Sequence, residues 1–249
     1  AIPRTPQRMD PMPRLLCLLP LFALSACTGT SKDSDSAPAE SEAEPLPDTT
    51  YTPFFTDLAT GRAIPDTPVT VNGEAYTTDA EGKFSLSETP GTALEMHLEV
   101  ENYPAYRSYV NQPGVDLHQG FDIPSNATLS QLSRVLGITL DPNKAILVIG
   151  IFDEFVSEDE VRSVEGVTVT VDVGYDEVLV RDSNSTIGYS QGNTTLPGSV
   201  ANVVFVNVDA GLVTPSFSLS NGRSCELGWS AVEAPAGGFS ISTYQCEVP

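Results

Sequence analysis

Basic residues are scarce in this chain: 12 Lys and Arg stand against 33 Asp and Glu, a formal net charge of −21 over 249 residues. A surface of that sign repels phosphate backbones and anionic lipid headgroups, which argues against nucleic-acid binding. Histidine is scarcer still, with only His97 and His118. Neither lies in an H-E-x-x-H helix. The sequence also lacks a glycine-rich phosphate loop, and neither Cys225 nor Cys246 has a histidine downstream, so zinc-hydrolase, nucleotide and cysteine-nucleophile chemistries have no support. No apolar run is long enough to cross a bilayer as a permanent helix. No cofactor and no metal are expected.

What is present points first to export. Met12-Pro13-Arg14 precedes an apolar run from Leu15 to Leu24 and then Ser25-Ala26-Cys27, the order of charged, apolar and small residues found in a secretion signal. Leu24-Ser25-Ala26-Cys27 resembles the lipobox of bacterial lipoproteins, and residues 1–26 are expected to be a lipoprotein signal peptide. The prolines and Asp10 before it fit a signal poorly, so translation is expected to start at Met12 or Met9. The resemblance implies cleavage before Cys27 and acylation of its thiol and new amino group. Acyl chains at about 0.8 kcal/mol per buried methylene would hold the chain on a membrane. By the same family's sorting rule, Thr28 in place of an aspartate implies the outer membrane, facing the periplasm or the cell surface.

Residues 27–50 follow as a tether. They carry Asp33, Asp35, Glu40, Glu42, Glu44 and Asp48 against Lys32, with Leu46 the one bulky aliphatic residue. Such a segment cannot offset its ordering entropy by burial and is expected to stay extended.

Beyond the tether, period-two alternation dominates. In Ala93–Glu101 the residues Leu94, Met96, Leu98 and Val100 alternate with Glu95, His97, Glu99 and Glu101, the pattern of a strand with one buried face. Further strands are expected at Val69–Val71, Ala75–Thr78, Lys83–Leu86, Tyr106–Asn111, Ala145–Phe152, Gly166–Val173, Glu177–Arg181, Val203–Val208, Val213–Leu219 and Phe239–Gln245. Turn pairs such as Asn72-Gly73 and Glu81-Gly82 separate them. One helix is expected in NATLSQLSRVLG, where Leu129, Leu132 and Leu136 recur at helical spacing. Asn126 or Thr128 would cap its start and Gly137 its end, and its apolar stripe is expected to pack on a sheet.

Asp57 to Pro65, Val69-Thr70-Val71 and the run Thr77-Thr78-Asp79-Ala80-Glu81-Gly82-Lys83-Phe84 resemble the carboxypeptidase regulatory-like domain. That resemblance implies a small transthyretin-like β-sandwich over about residues 53–110. Asn102-Tyr103 stands where the family has Gly-Tyr. A weaker resemblance to the same family begins at Ala145, with Gly166–Val169 and Val204–Gly211 in similar places, and implies a second copy interrupted at 154–165 and 182–199. The expected fold is therefore all-β: two small β-sandwiches, 51–124 and 144–249, joined by a helical linker at 125–143.

Four cysteines complete the inventory. Cys17 would leave with the signal and Cys27 would carry lipid, so Cys225 and Cys246 are expected to form a disulfide in an oxidising compartment. Free thiols or a metal site there would need a reducing compartment or more ligands.

Three candidate sites remain. Gly188-Tyr189-Ser190-Gln191-Gly192 has the G-x-S-x-G form of a hydrolase nucleophile elbow, similar to that of cutinases. An elbow needs a strand before the serine, a helix after it and a histidine downstream. Both histidines lie upstream, and a loop-like run follows Ser190, so no catalytic role is expected. Glu95, His97 and Glu99 share one side of a strand and could seat a metal, though adjacent outward positions are ordinarily just solvated. Trp229, the single tryptophan, is expected to pack on the cystine. The alternative is a sugar-stacking platform, with exposed tyrosines such as Tyr175 and Tyr189. The composite expectation is a non-enzymatic envelope lipoprotein, anchored through Cys27, serving as a structural or protein-interaction module. The alternative is a carbohydrate-binding protein using Trp229, and the partner is an unspecified envelope protein or glycan.

Overall fold

The computed structural model describes residues 48–89, 91–111, 120–157, 160–197, 201–219, 225–226 and 229–246. The expected signal, Cys27, the tether up to residue 47 and His118 lie outside them. The first eight strands are β1 (Thr49–Tyr51), β2 (Phe54–Asp57), β3 (Pro68–Val71), β4 (Glu74–Thr77), β5 (Leu86–Glu88), β6 (Ala93–Leu98), β7 (Tyr106–Asn111) and β8 (Gly120–Ile123). Helix α1 (Asn126–Leu136) follows. Then come β9 (Ala145–Ser157), β10 (Glu160–Ser163), β11 (Val167–Val171), β12 (Glu177–Arg181), β13 (Tyr189–Gln191), β14 (Asn202–Val208) and β15 (Gly211–Val213). The chain closes with β16 (Pro215–Leu219), β17 (Cys225–Glu226), β18 (Val232–Ala234) and β19 (Phe239–Cys246).

Local chemistry sets the turns. Asn72 and Gly73 take φ of 48° and 88° between the paired strands β3 and β4, the two positive values that a tight two-residue hairpin needs. In the Asp79–Lys83 turn, the Asp79 carboxylate accepts the backbone N–H groups of Glu81 and Lys83 at 3.0 and 2.8 Å. Gly82 there has φ of 76°, and a Cβ on it would lie 2.6 Å from the Phe55 carbonyl oxygen. Only glycine fits. The turn delivers Phe84 into the core at 6% exposure.

The strands assemble around one 11-stranded sheet, in the order β13-β12-β14-β9-β19-β7-β6-β3-β4, with β10 on β9 and β17 on β19. Its centre is parallel: β19 runs alongside both β7 and β9. Two hydrophobic cores lie on its opposite faces. Residues in register point to the same side of a sheet, and the pairs Met96↔Ser108 and Leu98↔Tyr106 face the first core with Leu94, Val69 and Val71. That core is closed by β1, β2, β5 and β8 through Tyr51, Phe55, Leu86, Phe121 and Ile123. One residue along, Tyr109, Tyr244, Leu147, Ile149, Val203 and Phe205 face the other way into the second core. There β11, β15 and β18 supply Val167, Val169, Val213, Val232 and Ala234. The two expected sandwiches are present, and they share one sheet back to back.

This arrangement explains strand β9. Residues 145–152 read AILVIGIF, apolar at nearly every position, because the odd positions enter the second core while Ile146 and Val148 lie beneath α1. Strands covered on both sides lose their alternation. The helix ends as expected, with Gly137 at φ of 71°. Its start differs: Ser125, not Asn126 or Thr128, is the cap, its Oγ accepting the Thr128 N–H at 3.2 Å. Ser125 is extended, at φ −66° and ψ 161°, which lets its short hydroxyl reach back to the first turn. Other boundaries moved for similar local reasons. The expected 213–219 strand breaks at Thr214, because β15 pairs with β18 whereas β16 pairs with β11. The expected 83–86 strand begins only at Leu86, Lys83 making an isolated bridge to Phe54.

Candidate functional site

Ser190 lies on β13, paired with Val180 of β12. Its Oγ donates to Asp182 Oδ2 at 2.5 Å. Asp182 is held below the usual carboxylate range by that hydroxyl and by the backbone N–H of Asn184. After Ser190 the chain passes Gly192 and reaches a bridge between Thr168 and Thr194, where an elbow would open a helix. His97 is on β6, at the far side of the shared sheet. Among the described residues, the acid and the serine thus form a turn contact that no histidine joins.

The Glu95–His97 pair forms a richer cluster than the sequence suggested. Register places His97 opposite Arg107 and Glu95 opposite Tyr109 on the outer face of the first sandwich. Glu95 Oε1 lies 2.7 Å from His97 Nε2 and accepts from Arg107 Nη1 and the Tyr109 hydroxyl, both at 3.1 Å. Burial would raise the Glu95 pKa, but the bonds from His97 and Tyr109 and the charges of His97 and Arg107 hold it below its ordinary value. Arg107 Nη2 reaches Glu233 of β18 at 3.0 Å, and the Glu233 backbone N–H donates to the Tyr109 hydroxyl at 3.0 Å. Burial, with Glu95 nearby, pushes that phenol up to about 12. Glu99 stands outside, exposed beyond the end of β6. The cation facing Glu95 is therefore Arg107, and the cluster stitches the first sandwich to the roof of the second. Arg107 and Glu233 were not legible as partners, since 126 positions of chain and a parallel strand crossing separate them.

Two further polar centres are structural in geometry. Asp57, 8% exposed, accepts from the Thr60 hydroxyl and N–H, the Ala59 N–H and the Tyr103 hydroxyl at 2.8 to 3.1 Å. Its burial raises the pKa, and these bonds more than reverse that, leaving it lowered. At the entry to the second sandwich, Asn207 Nδ2 donates to the Thr139 carbonyl and to Asp176, and its Oδ1 accepts the Asp141 N–H. Asn207 has φ of 54° where the β14–β9 ladder is irregular. Lys144 joins Asp176 and Asp209 beside it, at 3.3 and 3.2 Å.

Cys225 and Cys246 are bonded and face each other across β17 and β19. Trp229 is partly buried against the second core, edge-on to Tyr109 with centroids 5.1 Å apart, its indole N–H directed at the Val110 carbonyl at 3.5 Å. Tyr175 packs edge-on to Phe205, and Tyr189 lies under the Arg181 guanidinium. Trp229, Tyr175 and Tyr189 therefore each have a packing partner. Among the described residues, no group of three His, Cys, Asp or Glu side chains is placed to hold a metal ion.

No family model and no curated protein sequence matches the chain. Solved structures similar to it include the Bacillus anthracis TIE protein, at 11% identity and a TM-score of 0.24 over 81% of this chain. This chain spans 34% of that protein's length. The minor pilin GBS52 of Streptococcus agalactiae matches at 12% identity and a TM-score of 0.28, over 81% of this chain and 97% of the pilin. A family CBM26 module from Eubacterium rectale, solved with maltoheptaose, matches at 10% identity and 0.25, over 81% and 94%. Scores this low carry none of those proteins' properties to this chain.

Proposed function

We propose that this chain is a non-enzymatic cell-envelope module, anchored to the outer membrane by lipid on Cys27 and acting through protein contacts of a stiff double sandwich. The supporting observation is the shared sheet. Because β19 is hydrogen-bonded to β7 on one side and β9 on the other, a load or contact on one sandwich is transmitted to the other through backbone ladders. That suits a spacer or scaffold standing off a membrane on an acidic tether. The polar clusters support the same reading: Asp182–Ser190, Asp57 and Glu95–Arg107–Glu233 each hold a turn or a seam. The sugar-platform reading of Trp229 has less support, since its ring packs on Tyr109 and its indole N–H is directed at the Val110 carbonyl.

The test is expression with the native leader beside a Cys27→Ala variant, followed by fractionation and intact mass. A membrane-bound product with acyl mass on Cys27 supports the reading, and a soluble, unacylated product cut elsewhere overturns it. The enzyme alternative is settled separately, by a serine-reactive fluorophosphonate probe on the parent and Ser190→Ala. Labelling that vanishes in the variant would reinstate a hydrolase.

A further inference from the structure

Helix α1 does not close down on the sheet. Leu129, Leu132 and Leu136 stand over Val148, Val204 and Val206, and a cleft of about 110 Å³ with an almost wholly apolar lining is left between them. Leu132 is 36% exposed at its edge, and no residue of α1 is fully buried. The space lies on the face of β9, β12 and β14 turned away from the second core, and its lining includes Phe239, which also packs against the first.

Two guanidinium groups lie beside the cleft. Tyr189 lines it, and the Arg181 guanidinium lies 5.2 Å from the centre of that ring. Ser133 and Ile138 belong both to the cleft and to an adjoining open shelf that includes Arg134. Among the described residues neither Arg134 nor Arg181 takes part in an ion pair, whereas Arg107 and Lys144 each hold two acids. In a chain of net charge −21, two unneutralised guanidinium groups at the rim of an apolar cleft are complementary to one chemistry: an aliphatic chain ending in an anion.

We propose that the space beneath α1 is a binding site for a medium-chain free fatty acid. Its alkyl chain lies between the helix and β9, β12 and β14, and its carboxylate rests on the arginine rim. The site is independent of the anchoring reading, since it uses only residues of the folded part. Added methylenes should strengthen binding about fourfold each, until the cleft is full and the gain stops. Removing the guanidinium groups should weaken binding about tenfold, the usual scale for hydrogen bonds to a charged group.

The experiment is calorimetric titration of the full chain carrying Cys27→Ala, which removes the expected acyl groups, with hexanoate, octanoate, decanoate and the uncharged decanol. The proposal expects affinity to rise with chain length from hexanoate and to level off along the series once the chain outgrows the cleft. Arg134→Gln with Arg181→Gln should cost decanoate about tenfold and leave decanol unchanged. Val204→Phe, which fills the cleft, should abolish binding. Should that variant unfold by circular dichroism, the edge substitution Leu132→Gln serves instead and should weaken decanoate at least fivefold. No heat from any ligand, affinity indifferent to chain length, or full decanoate affinity in a folded cleft variant would overturn the site.

Discussion

The two sandwiches bury their shared sheet with different materials. The first packs aromatic rings: Phe55 sits among Phe84, Tyr106 and Phe121 with centroids 5.6 to 6.2 Å apart. The second is largely aliphatic, with eight buried valines among the described residues from Val164 to Val232 and a cystine at its edge. A few large rings fill a short-stranded sandwich from its centre, so its stability is concentrated in single residues. Many β-branched residues spread the same burial thinly, and a covalent link then closes the last strand. One core is expected to fail at a point and the other to lose stability by degrees.

Perturbations of the two cores test that contrast. Phe55→Ala is expected to have the largest effect, about 3–5 kcal/mol, because it opens a cavity at the meeting point of three rings. Because of the common sheet, Trp229 fluorescence in the opposite sandwich should report a lowered urea midpoint in the same variant. An unchanged Trp229 midpoint would show that the sandwiches unfold separately. Reducing the cystine should cost about 3 kcal/mol, the chain-entropy value for a loop of this length. Denaturant melts with and without reductant measure it.

Asp57→Ala is expected to cost about 2 kcal/mol, through loss of charge-assisted bonds to Thr60, Ala59 and Tyr103. Its pKa is lowered on folding, so its contribution is complete above the unfolded value of about 3.9 and fades as pH falls through the folded value. Parent and variant should therefore converge in stability under acid, which acid-range melts would read. Ser125→Ala should cost least, about 1 kcal/mol for a lost helix cap. Far-UV circular dichroism melts should show a smaller loss than for Phe55→Ala, Asp57→Ala or reduction of the cystine, since α1 buries no residue fully.

Much of the first sandwich was readable from residues alone. Alternation marks Leu94, Met96 and Leu98, Asn72-Gly73 marks the hairpin, and the T-D-x-x-G-x-F run carries its own turn geometry in Asp79 and Gly82. The second sandwich was readable as strands but not as a layout. Parallel pairing of β19 with β7 and β9 joins residues more than ninety positions apart in the chain, and no local signal encodes it. The nearest hint was the unbroken apolar run of β9, which marks a strand covered on both faces. The Arg107–Glu233 seam follows from that same pairing and was hidden with it. Ser125 escaped because Asn126 and Thr128 are equally good caps by type, and only the backbone angle separates them. The serine motif was the reverse case, a legible signal that among the described residues is followed by no helix and joined by no histidine.

One continuous sheet makes the two sandwiches a single stiff unit. Native-state hydrogen exchange, followed by mass spectrometry across a urea series, distinguishes this from two halves that open separately. Amides of β3 and β6 and amides of β11 and β14 are expected to become exchangeable through one common opening, with the same dependence on urea. Exchange of β3 and β6 at clearly lower urea, while β11 and β14 stay protected, would contradict it.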